Sequence, residues 1–233
     1  MTINKETTTI ISLGGSLIVP KGIDSKFLSD FKTLIVKKIN EGHKFILVTG
    51  GGMTARNYIE AIGEIDEIDN EDKDWIGIHA TRLNAQLIRT IFKKHAHPKI
   101  NKNPHDLEDF YISKNPVLVA AGWRPGNSTD LIAIMLAKYL GVKRVANLSN
   151  IDYVCDADPR TNPNAKEIKE ISWKNFRKMV GNEWDPGMNL PFDPVASKLA
   201  DEEEIEVAVI NGHNFESLEG YIDRKEFKGT VIK

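Results

Sequence analysis

The stretch from Val117 to Val142, VLVAAGWRPGNSTDLIAIMLAKYLGV, limits the choice of fold more than any other. Val117 to Ala121 is a near-continuous apolar run, the pattern of a strand buried on both faces, and Gly122 ends it with a residue that tolerates unusual backbone angles. Ser128 or Thr129 then offers an N-cap oxygen, and Asp130 sets an acidic charge in the first turn of a helix. Ile132, Leu136 and Leu140 form an apolar stripe with Ala133 and Ala137. The loop from Gly122 to Thr129 therefore joins a strand's carboxyl end to a helix's amino end. Ligands of parallel α/β sheets bind at such places, and free N–H groups there suit an anion such as phosphate. An ordinary βα connection has the same signature, so the loop alone is only a candidate.

The rest of the chain repeats this alternation. Thr7 to Leu13 is β-rich and broken by Gly14-Gly15-Ser16, which reads either as a phosphate loop or as a tight turn. Asp24 or Ser25 opens a helix to Asn40 with Phe27, Phe31, Leu34, Ile35 and Ile39 as its core stripe. Lys44 to Thr49 is a second buried strand, followed directly by Gly50-Gly51-Gly52 and a helix from Thr54 to Ile62. Arg56, in the first turn of that helix, is within reach of a phosphate bound by the glycines. Gly63 to Asp74 reads as an acidic, turn-like loop. Trp75 to Phe92 reads as a long helix burying Ile78, Leu83, Leu87, Ile88 and Ile91. A short helix is expected around His105 to Tyr111, and His95 and His97 read as loop histidines rather than metal ligands.

Arg144 to Leu148 is a further strand, ending in Ser149-Asn150-Ile151-Asp152, and the following sixteen residues, YVCDADPRTNPNAKEI, read as turns. Trp173 to Val180 is a short helix, and Gly181 to Pro194 is a candidate mobile lid or a surface excursion. Asp193-Pro194 starts another helix with Lys198 one turn inside, Ile205 to Ile210 is a strand, and Thr230 to Lys233 reads as a last one. The expectation is one continuous α/β domain over residues 1–233, without repeats or linkers.

Charge and cysteine content exclude some classes. Lys plus Arg number 31 against 33 Asp plus Glu, a net charge of −2, so no overall basic excess draws the chain to nucleic acid or an anionic membrane. The single cysteine, Cys155, forms no internal disulfide, no leader is evident, and no apolar run approaches the roughly 20 residues of a membrane helix. A soluble, cytoplasmic protein is expected.

Taken together, IISLGGS (10–16), VTGGGMTAR (48–56), DWIGIHATRLNA (74–85), GWRPGNSTD (122–130), NLSNIDYVCDADPRTNPNAK (147–166) and FDPVASK (192–198) resemble the amino acid kinase superfamily, and within it the archaeal-type uridylate kinases. The resemblance runs through essentially the whole chain. It implies a three-layer α/β/α sandwich on a mainly parallel sheet, with an acceptor half over about residues 1–140, an ATP half over about 141–233, and a homo-oligomer, a hexamer in such kinases. It further implies transfer of the γ-phosphoryl of ATP, with Mg²⁺, to UMP in pyrimidine nucleotide biosynthesis. By the same resemblance Gly14, Gly15 and Ser16 wrap the ATP phosphates with Gly52 and Arg56 nearby, while Ser149, Asn150, Cys155 and Asp158 line the donor site. Gly51 touches the UMP phosphate, Asp74 faces UMP, and Trp123, Arg124, Pro125, Gly126, Asn127, Ser128 and Thr129 close around it. Asp193 orients the catalytic groups, and Lys198 balances charge on the migrating phosphoryl.

Three positions depart from the superfamily. Ser12 stands where many members carry Lys, Tyr153 where a glycine is expected, and Cys155 where a tyrosine is usual. The last two imply a rearranged adenine pocket, either with a changed donor preference or with the Tyr153 ring standing in for the missing one. Other classes fit less well. No strand is followed by GxGxxG with an acidic residue about 20 positions on, as nicotinamide enzymes require, and GxxxxGK[ST] is absent. Isopentenyl phosphate kinases carry a histidine in the second glycine-loop region, which here reads GGGMTARNY. A nucleotide-binding protein without turnover is the rival from outside enzymology.

Overall fold

In the computed structural model the parallel strands are buried on both faces, as their uninterrupted apolar runs require. The structure describes residues 4–107, 114–159, 161–181 and 190–233. Its elements are β1 (Thr8–Leu13), α1 (Gly15–Ile18), α2 (Ser25–Asn40), β2 (Lys44–Thr49), α3 (Gly52–Gly63), α4 (Asn70–Ile91), β3 (Val117–Ala120), α5 (Thr129–Leu140) and β4 (Arg144–Ser149). There follow β5 (Val154–Cys155), β6 (Glu167–Ile168), β7 (Glu170–Ile171), α6 (Trp173–Val180), α7 (Pro194–Glu202), β8 (Glu206–Asn211), α8 (Phe215–Ile222) and β9 (Thr230–Ile232).

Seven strands form one sheet in the order β3-β2-β1-β4-β8-β9-β7. The first five in that order are mutually parallel, β9 runs antiparallel to β8, and β7 is parallel to β9. Strand side chains alternate between two cores. Ile10, Ile46, Val48 and Leu118 meet α5, α6 and α7, whereas Ile11, Leu13, Leu47 and Val119 meet α1, α2, α4 and α8. The architecture is a three-layer α/β/α sandwich, and the carboxyl ends of β3, β2, β1, β4 and β8 open along one edge.

Several local expectations need correction. Helix α4 begins inside the stretch read as an acidic loop, because the Asp69 carboxylate accepts the Asp72 N–H at 2.8 Å and Glu71 and Asp72 complement the helix dipole. Leu83 faces solvent instead of the core: the buried side of α4 carries Ile78, Ala80, Thr81, Asn84, Ala85 and Ile88. The turn-rich segment after β4 holds a small antiparallel pair, β5 with β6, and β7 adds an edge strand; all three are two residues long, below what periodicity reveals. Helix α8 has only eight residues and contains Gly220, so its stripe is too short to read, although Asn214 caps it. Residues 108–113 of the expected short helix and 182–189 of the expected lid lie outside the described residues. Among the described residues no helix is long and apolar enough to cross a membrane.

Candidate active site at the carboxyl edge of the sheet

The glycine loops after β1 and β2 pack backbone against backbone. A Cβ on Gly15 would lie 2.0 Å from the Gly52 nitrogen, and one on Gly52, whose φ is +63°, would lie 2.2 Å from the Gly15 oxygen. No side chain fits between the loops, which explains glycine at both positions. Gly14 N–H donates to Leu148 O at 3.0 Å and Gly50 N–H to Leu13 O at 3.0 Å, fixing both turns to the strand ends. Helices α1 and α3 are preceded by Gly14 and Gly51, which supply no side-chain cap, while α2, α4, α5, α6, α7 and α8 are each capped by an Asp, Ser or Asn side chain. Both amino ends thus lack a side-chain cap where an anion would be held, although in α3 the Met53 N–H already donates to Val19 O at 3.0 Å.

Helix α4 ties these glycines to the loop that follows β3. Asn84 Nδ2 donates to Gly50 O at 2.8 Å and Gly51 O at 3.1 Å, and Gly122 N–H donates to Thr81 Oγ1 at 2.8 Å. Arg82 donates through Nε to Gly122 O at 3.2 Å and through Nη2 to Trp123 O at 3.0 Å. One turn from the start of the helix, Asp74 Oδ2 accepts the Gly126 N–H at 2.6 Å. Arg124 lies 4.1 Å over the Trp123 ring, Asn127 Nδ2 donates to Pro125 O, and Ser128 caps α5 ahead of Thr129. A cavity of about 480 Å³ adjoins this loop between α5 and α7, its walls including Trp123, Arg124, Asn127 and Lys198.

Where α5 and α7 begin lies an acid centre, with Asp193 buried and Asp130 half-buried. Ser12 Oγ donates to Asp130 Oδ1 at 2.8 Å, and the backbone N–H of Asp193 also donates to Asp130. Asp193 in turn accepts the Ala196 N–H at 2.5 Å and the Ser128 hydroxyl, capping α7. Burial pushes the Asp130 carboxyl up to about 6, with the neighbouring Asp193 charge adding to the rise, and burial raises Asp193 as well. One hydrogen-bonded network thus joins β1, α5 and α7.

At the carboxyl ends of β4 and β8, Gly212 N–H donates to Ser149 O at 2.8 Å, and Ser149 Oγ lies 3.5 Å from Asn150 Oδ1. Asp152 accepts Lys228 Nζ at 3.0 Å and Asn211 Nδ2 at 2.8 Å, which hold its carboxyl below the usual range. The half-buried Tyr153 ring sits 5.8 Å from the Lys228 ammonium. Cys155, on β5, has its Sγ 4.0 Å from Tyr153 O, and burial raises its thiol. Asp158 is exposed in the connection to β6.

A model of the amino acid kinase family matches residues 7–211. The chain belongs to the amino acid kinase family. It is 32% identical over 227 residues to a uridylate kinase of Methanocorpusculum labreanum, covering 97% of this chain and 95% of that one. It is 34% identical to a uridylate kinase of Thermococcus sibiricus, covering 96% and 98%. The crystal structure of a uridylate kinase from Archaeoglobus fulgidus superposes with a TM-score of 0.81 at 28% identity, over 97% of this chain and 99% of that one. That of a UMP kinase from Bacillus anthracis, at 19% identity and 97% and 96% coverage, shares the fold with a TM-score of 0.77.

In this member of the amino acid kinase family the structure gathers Gly14, Gly15, Ser16, Gly51 and Gly52 at one edge with Asp74 and the loop from Trp123 to Thr129. Arg56 is exposed and sits one turn inside α3, because that helix starts at Gly52 rather than Thr54. Lys198 is exposed on α7, 4.0 Å from Glu202. Sequence reasoning missed Thr81, Arg82 and Asn84 as organisers of the site, and took Asp130 only for a dipole partner. The available signal was polar side chains at the buried period of an otherwise apolar helix.

Proposed function

We propose that the chain transfers the γ-phosphoryl group of ATP to the 5′-phosphate of UMP, giving UDP and ADP. The observation that carries this is the direct apposition of two uncapped glycine loops, Gly14–Ser16 and Gly50–Gly52, with the second fastened by α4 to the loop Trp123–Thr129. Full-length similarity to uridylate kinases supports UMP as the acceptor. The half up to about residue 140 takes the acceptor and the half from about 141 the donor.

A UMP phosphate oxygen attacks the γ-phosphorus in line while the bond to the β,γ-bridging oxygen breaks, and that oxygen leaves with ADP. The protein supplies position and positive charge. Gly14, Gly15 and Ser16 with Gly52 hold the donor phosphates, Gly51 the acceptor phosphate, and Asp74 with the Trp123–Thr129 loop the nucleoside. Ser149, Asn150, Cys155 and Asp158 line the donor's nucleoside. Arg56 and Lys198 meet the developing charge, and Asp193 fixes the start of α7. Mg²⁺, when bound, neutralises charge on the transferring phosphates. The oxygens of Asp130 and Asp193 suit this hard cation chemically and would be the protein groups nearest to hold it, beside the nucleotide phosphates. We assign the protein to the cytoplasm, and to a homo-oligomer, a hexamer by resemblance.

A coupled assay of ADP release with UMP, CMP, dUMP and isopentenyl phosphate tests the reading. UMP is expected to exceed the others in kcat/KM, because a site built to hydrogen-bond particular base and sugar groups rejects analogues that leave its partners unpaired. Comparable kcat/KM for UMP and CMP overturns the acceptor assignment. UMP and ATP binding without ADP release would instead mark a nucleotide-binding protein without turnover.

A further inference from the structure

Helix α2 ends on a tight turn that holds two side chains of metal-ligating type, at the amino edge of the sheet. The Glu41 N–H donates to Lys37 O at 3.2 Å, the Gly42 N–H to Ile39 O at 2.9 Å and the His43 N–H to Lys38 O at 3.0 Å. Gly42, at φ +96°, lets the chain turn directly into β2. Glu41 and His43 are thereby fixed on one turn, and Asp223, at the end of α8, meets them from a distant part of the chain. One ligand atom from each of the three lies within 4.8 Å of the others.

Charge and hydrogen bonding both favour a further cation here. Lys38, 2% exposed, donates to Glu41 Oε2 at 2.8 Å, Glu219 Oε1 at 2.9 Å and Asp223 Oδ1 at 2.7 Å, so three carboxylates bracket one buried ammonium. The other cations beside them, Lys37 and Lys225, have side chains 56% and 73% exposed, and solvent screens them. Lys38 takes a single oxygen of Glu41 and of Asp223. The second oxygen of Asp223 meets the exposed Lys225 at 3.3 Å, a contact that an incoming ion displaces easily. Although burial opposes it, the hydrogen bonds from Lys38 and Lys225 hold the Asp223 carboxyl below its ordinary value, so it is ionised, as a ligand must be. His43 is the member that a plain ion-pair network does not explain. Its ring is half-buried against Phe45, and its Nδ1 is buried with no hydrogen-bond partner among the described residues. A buried polar atom without a partner marks a place where a ligand is missing from the account.

We propose that Glu41, His43 and Asp223 bind a divalent first-row transition ion, zinc above all, through one oxygen of each carboxylate and the His43 Nδ1, with water completing a tetrahedron. Imidazole with carboxylates suits zinc, whereas magnesium and calcium take oxygen ligands. Tetrahedral zinc at about 2.0 Å sets its ligands roughly 3.3 Å apart, so the side chains close in by up to about 1.5 Å. Glu41, with a side chain 44% exposed, has the freedom to do so. Lys38 stays on the other oxygens and orients the ligating carboxylates from behind. Six residues of β2 separate His43 from the second glycine loop, which puts the ion about 20 Å from the edge where nucleotides would bind. The ion ties α2 to α8 and takes no part in phosphoryl transfer.

Equilibrium dialysis of the chelator-treated full chain against zinc chloride, with the bound metal counted by atomic emission, tests this. No nucleotide is present, so the result is independent of the phosphoryl-transfer reading. One zinc per chain is expected, held at least tenfold more weakly by His43→Gln and by Glu41→Gln. Zinc is also expected to raise the thermal midpoint of the wild type and of neither variant. In chelator the variants should unfold near the wild-type midpoint, which shows that they fold; should His43→Gln fail to fold, Glu41→Gln on its exposed side chain decides alone. A wild-type chain that retains no zinc at micromolar concentrations overturns the proposal. So does uptake that the variants leave unchanged, which would mean adventitious binding at the other histidines.

Discussion

Replacing Asp130 by asparagine is expected to stabilise the fold at neutral pH while slowing the reaction. The Asp130 carboxyl lies at about 6 in the folded chain against 3.8 in the ordinary state, so ionised Asp130 opposes folding. At about 1.4 kcal/mol per pH unit this two-unit rise corresponds to at most about 3 kcal/mol. Because the folded value is the higher one, the group's favourable contribution is complete below about pH 4 and is lost as the pH rises through about 6. Asparagine removes the charge, but its amide turns one acceptor into a donor facing Ser12 or the Asp193 N–H, so the net gain at pH 7.5 is expected to be about 1 to 2 kcal/mol. Urea denaturation of both proteins between about pH 4 and 8 measures it, and the gap between them should widen with pH. Parallel turnover at pH 7.5 should fall by about 10²-fold if the ionised carboxylate sets the positions of β1, α5 and α7 around the phosphates. A variant that is less stable at pH 7.5, or a gap that does not change with pH, refutes the reasoning.

Gly15→Ala places a Cβ 2.0 Å from the Gly52 nitrogen, so it should cost more than about 3 kcal/mol and abolish turnover; a variant with near-wild-type urea midpoint and kcat would show that the loops separate freely. Asp74→Ala frees the Gly126 N–H and should raise the KM for UMP about tenfold with little change in the KM for ATP, as steady-state kinetics would show. Lys198→Ala should lower kcat by about 10²-fold or more with UMP affinity nearly unchanged, whereas normal kcat would leave it a surface partner of Glu202. Tyr153→Gly should weaken ATP binding several-fold, Cys155→Tyr alone should do little, and the double change should restore affinity; simple additivity of the measured Kd values would mean that the ring does not compensate.

The parts of the fold that were legible in the sequence are those governed by local rules. Val117 to Ala121 and Lys44 to Thr49 read as buried strands because two helix layers cover them, which removes any polar alternation. Asp193-Pro194 announced α7 because cap and first turn are adjacent in the chain. The site was only half legible. Gly50-Gly51-Gly52 suggested phosphate and Gly14-Gly15-Ser16 read equally as a tight turn, but the reason for glycine at Gly15 and Gly52 is the other loop, a contact between distant segments that composition does not encode. Likewise Leu83 fitted an apolar stripe, and only the docking of α4 through Thr81, Asn84 and Ala85 turned it outward.

Ser12 shows how a single departure changes the electrostatics of the whole edge. Its hydroxyl gives Asp130 one neutral hydrogen bond where a lysine ammonium would have given a full counter-charge. Burial therefore goes uncompensated, and with Asp193 beside it the Asp130 carboxyl rises instead of falling as it would against a cation. A phosphoryl group approaching these acids meets negative charge, so its positive partners must come from elsewhere. The glycine-loop N–H groups supply partial charges, and full charges remain on Arg56 and Lys198, both exposed and on flexible stems. On the proposed reading, the cationic work therefore falls to Arg56 on α3 and Lys198 on α7 rather than to the end of β1.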